Sequence, residues 1–373
     1  MADFNLMMNG QISGFLLDAY DAELAAEIQS GLPDKVFDAH AHPFLKNEID
    51  IVGTPILGDL PDEGGISFWR ESISAQIGGE RIGGGLFFGL PVLPVDNIGK
   101  RIDSVNSFVI KELRSSLVDE LSSPDGRSNC GNLQARALLL TANASDPDKT
   151  VHLIDEEPHI VGFKPYAALN PQCGPESEIH EYLPEWVCEL ANVRGLVVML
   201  HISKPKALDD ERNIAEINGL CKQFPGMKLV LAHAGAGFNM YNTIKGCLKL
   251  IKADNLWFDL SAISEPPAIT ALIKTFGCEQ LLWGSDYPIS LRKGRIVTLG
   301  NTIFCIQRNT INDKNLSDMC HPALLGLENL RAVLHAFNEC QLRSGELEDI
   351  FYNNAMRLLN ISQPGHVRKS KFA

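Results

Sequence analysis

Short apolar runs alternate with amphipathic stretches along most of the chain. The runs fall at residues 36–44, 84–93, 133–142, 159–166, 196–203, 228–235, 256–263 and 280–289. Near-continuous apolar runs of this length read as strands buried on both faces, which is the habit of a parallel sheet. The helical period is predicted between them, over 101–121, 148–156, 176–193, 211–224, 240–253 and 266–277, the last opened by Pro266 and Pro267. An amphipathic helix over 15–30, closed by Gly31 and Pro33, precedes the first run. Residues 290–325 read as irregular, and two helices over 328–341 and 346–360 end the pattern.

About eight such strand–helix units predict an α/β fold, a single-domain (β/α)8 TIM barrel with extra terminal helices. The barrel is expected over 35–361, with a helical segment at 1–34 and a basic tail at 362–373. The polar, Gly/Pro-rich stretch 45–83 reads as a long first loop with a helix around 67–76, able to fold over the barrel as a lid. A doubly wound open sheet is the alternative, but no G-x-G-x-x-G turn follows the first run.

The ends of the runs carry the chemistry. The first, FDAHAHPF, ends in His40 and His42, two residues that face one way on a strand. Lys164 lies inside the fourth run, where a solvated lysine is unexpected. The fifth ends in His201, the sixth in His233 and the eighth in Asp286. In a barrel these positions converge on the C-terminal mouth. A lone histidine there is ordinarily a hydrogen-bonded structural residue, and Asp286 alone would read as a turn or cap. Four imidazoles and a carboxylate together are a ligand set for a divalent metal such as zinc, manganese, iron or nickel.

Composition narrows the partners. The formal net charge is −13 and the pI about 5.2. That balance argues against nucleic acid and anionic membranes as partners and leaves a small-molecule substrate. The start of the chain lacks the pattern of a secretory signal, and no apolar run is long enough to span a membrane. Nine cysteines without a C-x-x-C pair fit a reducing, cytoplasmic setting. GGERIGGG, at 78–85, lacks the Lys-Ser/Thr of a phosphate loop and reads as a mobile loop at the far side of the barrel or the base of the lid. Trp257 and Phe258 read as core. Arg70, Arg81 and Lys204 are candidate cations for an anionic substrate by position only.

HAH in the first run, a histidine ending the fifth, LAHAG in the sixth, LLWGSDYP in the eighth and the closing NNAMRLLNI resemble the amidohydrolase superfamily. Within it, the chain is similar to the amidohydrolase-related branch of metal-dependent hydrolases and decarboxylases. The resemblance runs over about 35–361 and is poor over 45–130 and 290–325. It implies His40, His42, His201 and Asp286 as metal ligands, with Asp286 also handling the proton of the attacking water. His233 is then a second catalytic residue that polarises the substrate or moves protons. Lys164 takes the place of a bridging lysine in two-metal members, or contacts substrate. One ion is favoured over two, most readily Zn2+, with Mn2+ also suitable. The implied activity is hydrolysis of a lactone, ester or amide of a small carboxylated substrate. The alternative is non-oxidative decarboxylation of an unsaturated or aromatic acid, of the aminocarboxymuconate-semialdehyde type. A homodimer is expected because barrels of this branch are often dimers.

Overall fold

All eight apolar runs become strands, and each strand pairs with its sequence neighbour. In the computed structural model, which describes residues 17–50, 60–94, 96–121, 133–307, 310, 311 and 314–361, these are β1 (Val36–Ala41), β2 (Ile82–Phe87), β3 (Gln134–Thr141), β4 (Ile160–Pro165), β5 (Val197–Leu200), β6 (Lys228–Leu231), β7 (Leu256–Asp259) and β8 (Leu281–Leu282). Their order in the sheet is their order in the chain, and the pairs are parallel. The ring closes where the chain leaving β8 runs beside β1. Ala39 N–H donates to the Trp283 carbonyl at 3.0 Å, Asp286 N–H to His40 at 2.8 Å and His42 N–H to Tyr287 at 2.8 Å. The fold is the expected (β/α)8 barrel.

Two apolar layers hold it. Phe37, Ala39, Leu86, Leu138, Met199 and Val230 pack together as the filling of the barrel. A larger cluster lies between the strands and the surrounding helices. Local signals set many helix boundaries. Asp146 caps Pro147–Glu156 by accepting from the Asp148 and Lys149 amides, and Pro266 and Pro267 open Pro266–Phe276. The closing NNAMRLLNI motif anchors the end of the chain. Asn354 Nδ2 donates to the carbonyls of Cys278 and Leu281, both at 2.6 Å, tying the last helix to β8.

Several expectations shift. The helix expected over 176–193 begins only at Glu185, after Pro184 and a 3-10 turn at Ile179–Glu181, because proline disfavours the helical conformation of the residue before it. The Gly-rich segment forms a 3-10 turn at Gly79–Arg81 that leads straight into β2, Ile82–Phe87. At Gly84 the missing Cβ makes room for the Phe37 ring, which a Cβ would meet at 2.7 Å. The stretch 290–325 contains an antiparallel hairpin, Arg295–Leu299 with Thr302–Ile306. Its outer strand is exposed at every residue, so no alternation marked it. The first-loop helix α1 (Ile66–Ile77) exists, but it buttresses the barrel rather than covering it. Its Trp69 is fully buried, edge-on to Phe87 at 4.8 Å. Residues 51–59 of that loop, the N-terminal residues 1–16 and the basic tail 362–373 lie outside the described residues. Among the described residues the cysteines are free thiols and no helix is long and apolar enough to cross a membrane.

Candidate metal centre at the barrel mouth

β1 slips in register against β2 between Asp38 and Ala41. The slip re-aims the end of the strand, as such irregularities do beside active sites. His40 and His42 both turn toward the mouth, edge-on to Phe88 at 4.9 and 4.7 Å between ring centroids. β8 approaches closely enough to serve them because Gly284 has no side chain. A Cβ there would meet His40 Cβ at 2.6 Å.

Hydrogen bonds fix both tautomers. His40 Nδ1 lies 2.6 Å from Asp259 Oδ2, and His42 Nδ1 lies 3.1 Å from the Gly89 carbonyl. Carboxylates and carbonyls only accept, so each Nδ1 carries the hydrogen and each Nε2 presents a lone pair. The two Nε2 atoms are 3.0 Å apart. Asp286 Oδ1 faces them at 3.5 Å from His40 and 3.3 Å from His42. Burial, with Lys164 nearby, pushes His42 down to about 3, and burial lowers His40 despite Asp259. Near neutral pH neither ring brings a proton to the gap. Three lone-pair donors then converge with nothing positive between them, an arrangement that a divalent cation satisfies.

Asp259 is the orienting carboxylate. Burial pushes it up, but the His40 ring, the His233 ring and hydrogen bonds from His40 and Ser261 hold it below the ordinary carboxylate range. It accepts from His40 Nδ1, from the His233 backbone N–H at 3.1 Å and from Ser261 Oγ at 2.7 Å, all on Oδ2. His233 Nδ1 lies 3.1 Å from the Ser261 carbonyl and 2.9 Å from Ser261 Oγ. It therefore donates, which leaves Nε2 as an acceptor. Burial lowers this ring to about 4. His233 and Asp286 both have positive φ, 49° and 58°, a costly conformation for a side-chain-bearing residue and one that clusters at functional sites.

Lys164 is buried beside these groups, with Nζ 5.0 Å above the Phe88 ring and no hydrogen-bond partner. Burial lowers it to about 8, against the pull of Asp259 and Asp286. Tyr166, also at the end of β4, lies 3.4 Å from His201 Nε2 through its hydroxyl. Burial, with Asp286 adding, pushes its phenol up to about 12, so it stays a donor.

The model of the family described as Amidohydrolase matches residues 130–361, more than half of the chain and all of β3 to β8. The chain belongs to the amidohydrolase family. No curated protein matches it. Among solved structures, a probable 2-pyrone-4,6-dicarboxylic acid hydrolase from Acinetobacter baumannii, with citric acid bound, has a TM-score of 0.51 at 14% identity, over 87% of this chain and 99% of the other. An amidohydrolase from Burkholderia multivorans with bound zinc gives 0.52 at 12%, over 87% and 99%. A 2,6-dihydroxybenzoate decarboxylase from Rhizobium gives 0.50 at 13%, over 88% and 99%. At such identities the likeness is one of fold.

This amidohydrolase gathers most of the residues its sequence nominated. His40, His42 and Asp286 offer ligand atoms within 4.8 Å of one another. His233 stacks near His40, at 4.8 Å between centroids. His201 stands apart from that group. Its ring is 5.2 Å from that of His233, and its Nε2 faces Tyr166. Lys204 is engaged by Glu178 at 2.8 Å and Asp210 at 3.6 Å, so it is not a free cation. Arg81 sits just before β2, at the end of the barrel away from the mouth, and donates to the carbonyls of Ile77 and Gln29. Arg70 lies on the buttressing helix α1. The sequence reading missed Asp259, Ser261 and Tyr166. Asp259 had a usable signal, a carboxylate inside an apolar run, the same mark that singled out Lys164.

Proposed function

We propose that this amidohydrolase is a metal-dependent hydrolase that uses water to open a lactone, ester or amide of a small, carboxylated substrate. The observation that carries the reading is the meeting of His40 Nε2, His42 Nε2 and Asp286 Oδ1 with no proton between them. These three would hold one divalent ion, Zn2+ foremost with Mn2+ also suitable, and His201 is the remaining candidate ligand. A divalent ion supplies Lewis acidity and brings the pKa of water toward neutrality. The second cluster of ligand atoms, His40, His233 and Asp259, is already occupied by hydrogen bonds, which supports one ion over two.

The chain's own residues divide the remaining work. Asp286, raised by burial, accepts the proton of the attacking water and returns it to the leaving group. His233 presents an unprotonated Nε2, so it accepts a hydrogen bond from the substrate or water rather than donating to an oxyanion. Tyr166 is the better donor for developing negative charge. Lys164, an ammonium without a partner, meets the carboxylate of the substrate. The same unpaired cation favours a second reading, non-oxidative decarboxylation of an unsaturated or aromatic acid.

Metal content by plasma mass spectrometry tests the centre. About one equivalent in the wild type, lost in His42→Ala, is expected. No metal in either after reconstitution refutes the centre. A screen of lactones and esters against unsaturated and aromatic acids, reading acid release against carbon dioxide release, then separates the two reactions.

A further inference from the structure

Asp38 is buried and takes no part in the metal shell described above, yet four donors converge on it. Its Oδ1 accepts the backbone N–H of His40 at 3.1 Å and of Ser285 at 2.8 Å. Its Oδ2 accepts Ser285 Oγ–H at 2.6 Å and Trp69 Nε1–H at 2.7 Å. Ser285 Oγ accepts in turn from the Tyr287 N–H at 3.0 Å. One carboxylate oxygen thus bridges the backbone of a ligand on β1 and the backbone one residue before a ligand after β8. Those two strands share few ladder bonds. β8 spans two residues, and the ring closes through three backbone hydrogen bonds and one bridge, Ala41 with Tyr287.

We propose that Asp38 is a positioning residue that sets the distance between His40 and Asp286, and that Trp69 of the first-loop helix is part of the device. The inference rests on the metal reading above. Each donor has a reason to matter. The backbone bonds locate the two ligand segments against each other. The Ser285 hydroxyl fixes the turn that places Asp286 at positive φ. The Trp69 indole pins the carboxylate plane, so the inserted first-loop helix bears on the metal centre from outside the barrel. A burial cost this large is tolerable because every acceptor position is used.

Asparagine at this position offers one acceptor oxygen where two are needed. With its oxygen toward the two amides, its NH2 points at the Trp69 N–H, donor against donor. Phenylalanine at Trp69 removes that conflict.

The test measures Zn2+ affinity of the chelator-stripped full chain by competition with a chromophoric chelator, below the melting temperature of each variant. Asp38→Asn is expected to bind Zn2+ about ten-fold or more weakly, in line with losses of groups that orient metal ligands. Trp69→Phe is expected to weaken it by a smaller factor. The double variant is expected to bind more tightly than Asp38→Asn alone, a recovery that a purely structural role would not produce. Wild-type binding matched by a folded Asp38→Asn overturns the inference and leaves the metal centre standing. A wild type without Zn2+ affinity overturns the metal centre and this inference with it. Should Asp38→Asn not fold, Ser285→Ala and Trp69→Phe decide, and unchanged affinity in both overturns the proposal.

Discussion

Replacing Lys164 by methionine isolates the cost of one buried charge. Lys164 is 1% exposed, and its ammonium has no hydrogen-bond partner. Burial takes its pKa from an ordinary 10.5 to about 8. At 1.36 kcal/mol per pH unit that fall corresponds to about 3 kcal/mol. The sign follows from proton binding: the unfolded chain holds this proton more tightly than the folded one. The contribution to stability is therefore complete above 10.5 and is lost as pH falls through about 8. At about pH 7 nearly the whole cost is present. Methionine keeps the apolar stem against Phe88 without the charge. The metal-free Lys164→Met protein should be more stable than wild type by roughly 2–3 kcal/mol near pH 7 and by about 1 kcal/mol near pH 9.5. Urea unfolding of chelator-treated protein at the two pH values measures both. A destabilised variant, or a difference that does not shrink at the higher pH, refutes the view of Lys164 as an uncompensated buried ammonium. If the prediction holds, the lysine persists at a stability cost, which is the mark of a functional group.

Two further substitutions follow from the same geometry. Asp259→Asn removes the acceptor that fixes the His40 tautomer, and Zn2+ affinity should fall by about 10- to 100-fold, read by chelator competition. Retained affinity would mean that another group orients the ring. Asp286→Asn removes the proposed proton acceptor, and kcat on any substrate found should drop about a hundred- to ten-thousand-fold. Retained kcat in a metal-loaded Asp286→Asn protein counts against that role.

Much of the molecule was legible in one dimension because its signals are local. Apolar runs of strand length require burial on both faces, and repeated eight times with helices between them they leave a barrel as the economical solution. His40, His42, His201, His233 and Asp286 stood out as candidates because they stop such runs, and in this fold the strand ends converge on one mouth. Tertiary structure decided what depends on partners distant in sequence. Asp259 orients His40 across 219 residues, and Asp38 joins Ser285 across 247. The register slip that turns His40 inward is a property of two paired strands, invisible in either alone. The first-loop helix proved a buttress because the Trp69 indole finds Asp38 and Phe87 on the barrel flank. His233 is left with an accepting Nε2 because Ser261 takes the hydrogen of its Nδ1. Residue types and spacing determine which groups reach the mouth. Only the folded hydrogen-bond network determines which of their atoms carry protons, and that assignment makes a cluster of histidines a candidate metal site.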